Sequence, residues 1–198
     1  MKKIVIATHN QHKLIEIKEI LQDLPYQFIG LDEFPNIPDI AETGDTFLKN
    51  SLIKARIVHK LTGYPAIGDD TGLEVDYLNG APGVFSGRYA GETATYKENL
   101  EKLLKDLQAV PKNERQAQFR TIISFVTDTD EQWVEGVVNG VILEASRGKQ
   151  GFGYDPIFYV PKLRKTLAEL SMAEKNKISH RGLALEKFRI LLGKYKLT

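Results

Sequence analysis

The first thirty residues switch between two hydrophobic periods, and that switch limits the chain to a small set of folds. Ile4-Val5-Ile6-Ala7 is an unbroken apolar run, the pattern of a strand buried on both faces and paired in parallel. A polar turn, Thr8 to His12, follows at once. Leu14, Ile17, Leu21 and Leu24 then recur at three- and four-residue spacing, which predicts an amphipathic helix that stops before Pro25. Tyr26 to Gly30 reads as a second strand. A strand–loop–helix–strand opening of this kind belongs to an α/β sheet.

The rest of the chain extends that reading. Leu31 to Asp45 holds two prolines, a glycine and five acids, a loop long enough to carry function. A helix is predicted from Thr46 to Thr62, then a short strand Ala66 to Gly68 that runs into Asp69-Asp70-Thr71-Gly72. Leu78 to Gly91 is irregular and Tyr96 to Leu107 helical. Ala117 to Phe125 alternates in period two, and with Trp133 to Ile142 it predicts a long antiparallel hairpin. A glycine-studded loop spans Arg147 to Asp155. Ser171 to Glu174 fits a capping box, and a last helix carries Leu183, Leu185, Phe188, Leu191 and Leu192. The expected architecture is α/β, with a mixed, elongated central sheet, helices on both faces, and two lobes around an active-site cleft. Residues 1–198 form one such two-lobed domain.

Charge and cysteine usage remove several functions. Lys and Arg number 27 against 26 Asp and Glu, a net charge of +1, so there is no basic coat for nucleic acid or anionic membrane. With no cysteine, thiolate zinc sites, disulfides and cysteine nucleophiles are excluded. No apolar run approaches the length of a membrane span, and a cytoplasmic protein is expected.

Four constellations could carry chemistry. Thr8-His9-Asn10-Gln11-His12-Lys13 joins a strand to a helix, where unpaired backbone N–H groups and a lysine suit an anion; a simple helix cap has the same look. Asp69 and Asp70 are adjacent carboxylates at the end of a buried strand. At ~4 Å, two such charges repel by about 4 kcal/mol at an effective dielectric of about 20, which a divalent cation reverses. Glu42 is a further candidate ligand, and the alternative is an Asp turn that caps backbone amides. Gly151-Phe152-Gly153-Tyr154-Asp155-Pro156 lets backbone approach a ligand, with Phe152 able to stack on a base or simply join the core. Ser179-His180-Arg181, with Lys175 upstream, offers planar donors for carbonyl or phosphate oxygens. Together these are the parts needed for a metal-bound nucleoside triphosphate.

In their order along the chain, these segments resemble the inosine triphosphate pyrophosphatase family. The similarity runs from Ile4 to about Leu192 and rests on Ala7 to Lys13, Glu42-Thr43-Gly44, Lys54-Ala55-Arg56, Gly68 to Leu73, Gly80 to Ser86 with Arg88-Tyr89, Gly151 to Phe158, Ala168-Glu169-Leu170, and Lys175 with Ser179 to Arg181. His9 to His12 departs from the smaller residues usual there. The resemblance implies Mg²⁺-dependent hydrolysis of ITP, dITP and XTP to the monophosphate and pyrophosphate, by a homodimer that binds neither nucleic acid nor membrane. It implies that Thr8, His9, Asn10, Gln11, His12 and Lys13 hold the phosphates with Lys54. Asp70 is then the general base and a metal ligand, with Asp69 and Glu42 beside it, and Thr71 touches substrate. Phe152, Gly153, Tyr154 and Asp155 line the base pocket, and Lys175, His180 and Arg181 fix the purine. A related Maf-like pyrophosphatase acting on pyrimidine or modified nucleotides, and a nucleotide sensor without hydrolysis, are the competing readings.

Overall fold

The opening strand, β1 (Lys2–Ala7), pairs in parallel with β2 (Tyr26–Ile29) on one side and with β3 (Ala66–Val75) on the other. This is the arrangement that an all-apolar strand requires, since both of its faces are covered. The computed structural model describes residues 1–195. Among them the sheet has seven strands in the order β2-β1-β3-β4-β5-β6-β7, where β4 is Gln116–Val126, β5 Glu131–Ile142, β6 Phe158–Val160 and β7 Lys165–Thr166. β4 and β5 are neighbours joined by the turn 127–130, closed by Thr127 N donating to Asp130 O at 2.9 Å, which is the predicted hairpin. β6 pairs antiparallel with β5 and β7, so the sheet is mixed.

The chain divides into two compact units: residues 1–70, 121–136 and from 181 onward, and residues 71–120 with 137–180. In the first, successive residues of β1 point to opposite faces and meet different helices. Ile4 and Ile6 join Ile67 in a cluster with Leu14, Ile17 and Leu21 of α1 (Gln11–Leu21) and with Leu185, Phe188 and Leu192 of α5 (His180–Leu192). Val5 and Ala7 join Ala66 in a second cluster with Ala55 and Val58 of α2 (Phe47–Thr62). Both faces of this part of the sheet therefore carry helices. The second unit packs Leu73, Val75, Phe119, Ile142 and Phe158 against Leu103 and Leu107 at the end of α3 (Tyr96–Asp106), whose start is fixed by a Thr95–Glu98 capping box. The capping box read at Ser171 is formed and starts the short helix α4 (Met172–Ile178). No helix among the described residues is long and apolar enough to cross a membrane.

One expectation is overturned. The strand predicted to stop at Gly68 continues through Asp69, Asp70 and Thr71 to Val75. Aspartates are poor strand formers, which is why the sequence reads as a turn there; the structure tolerates them because each side chain meets a cation. Gly68 has its own reason to lack a side chain. A Cβ at that position would lie 2.0 Å from Ser51 O and 2.7 Å from Ser124 Oγ, so α2 approaches β3 along bare backbone. The buried Ser51 hydroxyl seals the contact, with Gly68 O at 3.0 Å, Ser124 Oγ at 2.8 Å and Ser124 N donating at 3.1 Å. Ser51→Ala strands these buried groups and is expected to cost about 1–3 kcal/mol in denaturant unfolding; an unchanged midpoint would show that the contact is not structural.

Candidate active site

The side-chain alternation of β3 decides what its two aspartates do. Ile67 packs on the α1 and α5 side and Ala66 on the α2 side. Asp69, two residues from Ile67, therefore faces α1 and α5, and Asp70 faces α2. The repulsion expected between adjacent carboxylates is thus relieved by the pleat itself, which turns the pair to opposite faces of the sheet.

On the first face, Lys13 Nζ lies 2.6 Å from Asp69 Oδ1 and Arg181 Nε donates to Asp69 Oδ2 at 2.8 Å. Arg181 Nη1 also donates to Glu16 Oε2 at 2.6 Å. All four groups come from the hydrophobic face of β3, α1 and α5, and Arg181, Asp69 and Glu16 are buried. Two cations balance two carboxylates, as a buried charge network requires. Burial by itself would raise the Asp69 pKa, but Arg181 and Lys13 outweigh it and hold the carboxyl well below its usual range.

On the opposite face the balance differs. Lys54, one helical turn after Asn50 on α2, donates to Asp70 Oδ1 at 2.8 Å and to Glu42 Oε1 at 2.6 Å. One ammonium thus joins two carboxylates, and Asp70 Oδ2 is buried with no hydrogen-bond partner among the described residues. Burial pushes the Asp70 pKa up, Glu42 adds to the rise, and Lys54 only partly opposes it. Such a place favours an added positive charge. Of the three ligands expected for a metal, Asp70 and Glu42 come together here, whereas both Asp69 oxygens already engage Lys13 and Arg181. No group of three or more His, Asp or Glu side chains suited to a metal occurs among the described residues. Two carboxylates fit Mg²⁺, which completes its shell with water and substrate phosphates.

The turn before α1 has the geometry of a helix cap. Asn10 Oδ1 accepts from His12 N at 3.0 Å and Lys13 N at 3.4 Å, and Thr8 Oγ1 accepts from Asn10 N at 3.1 Å. His9, Gln11 and His12 are exposed, with His9 Nε2 3.6 Å from Asp39. The turn is preorganised at the positive end of α1, with Lys13 beside it.

The second unit gathers the aromatic candidates. Asp155 Oδ2 accepts from Phe152 N at 2.9 Å and from Lys175 Nζ at 2.6 Å, so one carboxylate fixes both the glycine-rich turn and the lysine. Lys175 Nζ also stands 4.7 Å from the Phe152 ring centre, and the Tyr96 ring lies 5.7 Å from it at a 42° tilt. Gly153 is left-handed, with φ of 61°. Tyr154 belongs to the core cluster and donates its hydroxyl to Ser86 O at 2.9 Å. His180 is buried with its ring stacked on Phe119, 4.6 Å between centres at 18°. Thr71 is half-buried on β3.

Several contributors escape a reading of motifs. Glu16 sits among the apolar positions of α1, three residues from Lys13, and Asn50 and Ser51 occupy the buried face of α2. A polar residue interrupting a hydrophobic stripe was the available signal. Phe119 and Tyr96 gave none, because ordinary strand and helix-start positions contain aromatic rings for packing alone.

The sequence model of the Ham1 family matches residues 4–191. A protein from Thermoanaerobacter sp. (strain X514) named dITP/XTP pyrophosphatase is 52% identical over 94% of this chain and 94% of its own length. The solved structure titled as a HAM1 protein from Coxiella burnetii superposes with a TM-score of 0.90 at 48% identity, covering 98% of this chain and 100% of that one. The Staphylococcus aureus Ham1 protein gives 0.86 at 44%, covering 97% and 98%. With the family model spanning nearly the whole chain and the same α/β fold in two solved relatives, the chain belongs to the Ham1 family.

Proposed function

We propose that this chain is a nucleoside triphosphate pyrophosphatase that hydrolyses non-standard purine nucleotides, ITP, dITP and XTP, to the monophosphate and pyrophosphate with Mg²⁺, and so cleanses the nucleotide pool. The observation that carries the reading is the asymmetry across β3: a neutral ion network around Asp69, and beside it two carboxylates on a single lysine with Asp70 Oδ2 left over. The relatives named dITP/XTP pyrophosphatase supply the substrate class.

In this reading Asp70 and Glu42 hold the cation, which when bound neutralises phosphate charge and polarises the phosphorus centre. Asp69, saturated by Lys13 and Arg181, is assigned to fixing those cations rather than to the metal. Asp70 takes the proton from the attacking water. Lys13 and Lys54 turn their ammonium groups toward the triphosphate, with Thr8 to His12 presenting hydroxyl, amide and imidazole donors. In the other unit Phe152 stacks on the base while Gly153, Tyr154 and Asp155 shape its surroundings and Thr71 touches substrate. Lys175, His180 and Arg181 donate to a keto oxygen at the purine 6-position and would meet an amino group donor to donor, a mismatch of about 1–3 kcal/mol. Residues 1–198 act as one domain, and the working form is a cytoplasmic homodimer.

The test is a nucleotide panel (ITP, XTP, dITP, GTP, ATP and dTTP) with and without Mg²⁺, in which both pyrophosphate and orthophosphate are measured. Pyrophosphate released from ITP, dITP and XTP, about tenfold or more faster than from ATP and only with the metal, is the expected result. Preference for a pyrimidine, or orthophosphate as the first product, would overturn the assignment.

A further inference from the structure

Lys54 reaches Glu42 from α2, yet Glu42 lies on an irregular segment outside any helix or strand. Something must bring that segment to the helix. Asn50 does so one turn earlier on the same face: its Oδ1 accepts from Gly44 N at 2.7 Å, two residues beyond Glu42. Residues four apart on a helix stand one above the other. α2 therefore grips the Glu42-Thr43-Gly44 segment at two points, by backbone through Asn50 and by side chain through Lys54.

Three observations say that Asn50 is there for this grip rather than for packing. It is fully buried on α2. Its orientation is fixed, because a flipped amide would set Nδ2 against the Gly44 N–H, donor to donor. In the observed orientation Nδ2 has no hydrogen-bond partner among the described residues. A buried donor without an acceptor is costly, and an apolar side chain of the same shape would serve the core better. Gly44 is matched to the contact from the other side: a Cβ there would lie 2.6 Å from Asn50 Oδ1 and 2.7 Å from Lys49 Cβ.

We propose that Asn50 is a positioning residue for the cation site, holding the Gly44 backbone so that the Glu42 carboxylate meets Asp70 across Lys54. The proposal rests on the reading of Asp70 and Glu42 as the ligand pair. It distinguishes Asn50 from a stability residue, because Asn50→Leu removes the grip while also removing an unsatisfied buried donor.

The probe is Mn²⁺ titrated into the nucleotide-free protein and followed by electron paramagnetic resonance, alongside thermal unfolding. Asn50→Leu is expected to bind Mn²⁺ about tenfold more weakly than the parent protein, as lost outer-shell support does elsewhere, while its melting temperature holds or rises. Gly44→Ala, an alteration of a half-buried loop position, is expected to weaken binding similarly, and it carries the test if Asn50→Leu does not fold. Because both break one contact, the double variant binds no more weakly than the worse single. Parental Mn²⁺ affinity in the single variants, or effects that multiply in the double, would overturn the proposal. A parent protein that binds no Mn²⁺, or an Asp70→Asn variant that binds it as well as the parent, would instead overturn the ligand assignment beneath it.

Discussion

Asp70→Asn is expected to leave the protein folded and to lower turnover of ITP by about 10²–10⁴-fold, the usual worth of a positioned general base. The fold should survive because the new amide oxygen can still accept from Lys54 Nζ, which lies 2.8 Å from Asp70 Oδ1. The change also leaves one carboxylate, Glu42, to one ammonium, so the surplus negative charge that favours a cation is gone. Added Mg²⁺ should therefore rescue little of the loss. Steady-state kinetics at several Mg²⁺ concentrations, with circular dichroism as the control for folding, give the answer. Turnover within a few-fold of the parent would remove Asp70 from the centre of the mechanism.

The second large effect concerns stability. Arg181 is fully buried and its guanidinium serves both Asp69 and Glu16. Arg181→Met removes the guanidinium that two buried carboxylates share, and breaking a buried pair by removing one partner costs about 3–5 kcal/mol. At about 2–4 °C per kcal/mol for a chain of this size, the melting temperature is expected to fall by roughly 10 °C. The pH dependence has a definite sign. Asp69 is held well below its ordinary value, so its contribution is present above the unfolded-state pKa and lost as pH falls through the folded-state one. Without Arg181 the folded-state value moves back up, and acid unfolding should begin at a higher pH. Arg181→Lys should fall between the two, because a single ammonium cannot reproduce the fork that meets both acids. A melting temperature and acid midpoint unchanged in Arg181→Met would show that the network adds nothing to the fold.

The two predictions separate because the pleat separates the two aspartates. One belongs to a neutral network that ties α1 and α5 to β3; the other belongs to an electronegative group next to α2. Loss of the Asp69 network should register in stability and loss of the Asp70 carboxylate in turnover, although the two residues are covalent neighbours.

Much of this was legible from the chain alone, for particular physical reasons. Ile4 to Ala7, the 3.6-residue stripe from Leu14 and the period-two run from Ala117 each carry enough apolar residues to set an element and its buried face. Ser171 with Glu174 places a helix start because capping is local chemistry. Asp69-Asp70 stood out because two adjacent charges in an apolar strand need an explanation.

The explanation itself was not local. The sequence placed the aspartates at a strand end and side by side against one cation, whereas β3 runs on to Val75 and turns them apart. Which cation each would meet depended on Lys13, Lys54 and Arg181, the last 112 positions from Asp69 along the chain. Glu16 and Asn50 interrupt apolar stripes in the sequence, but their partners became visible only once their helices were packed. Local order in the chain specifies period, caps and the residue types of the site. Partnership between charges depends on which face of a strand meets which helix, and only three-dimensional packing decides that.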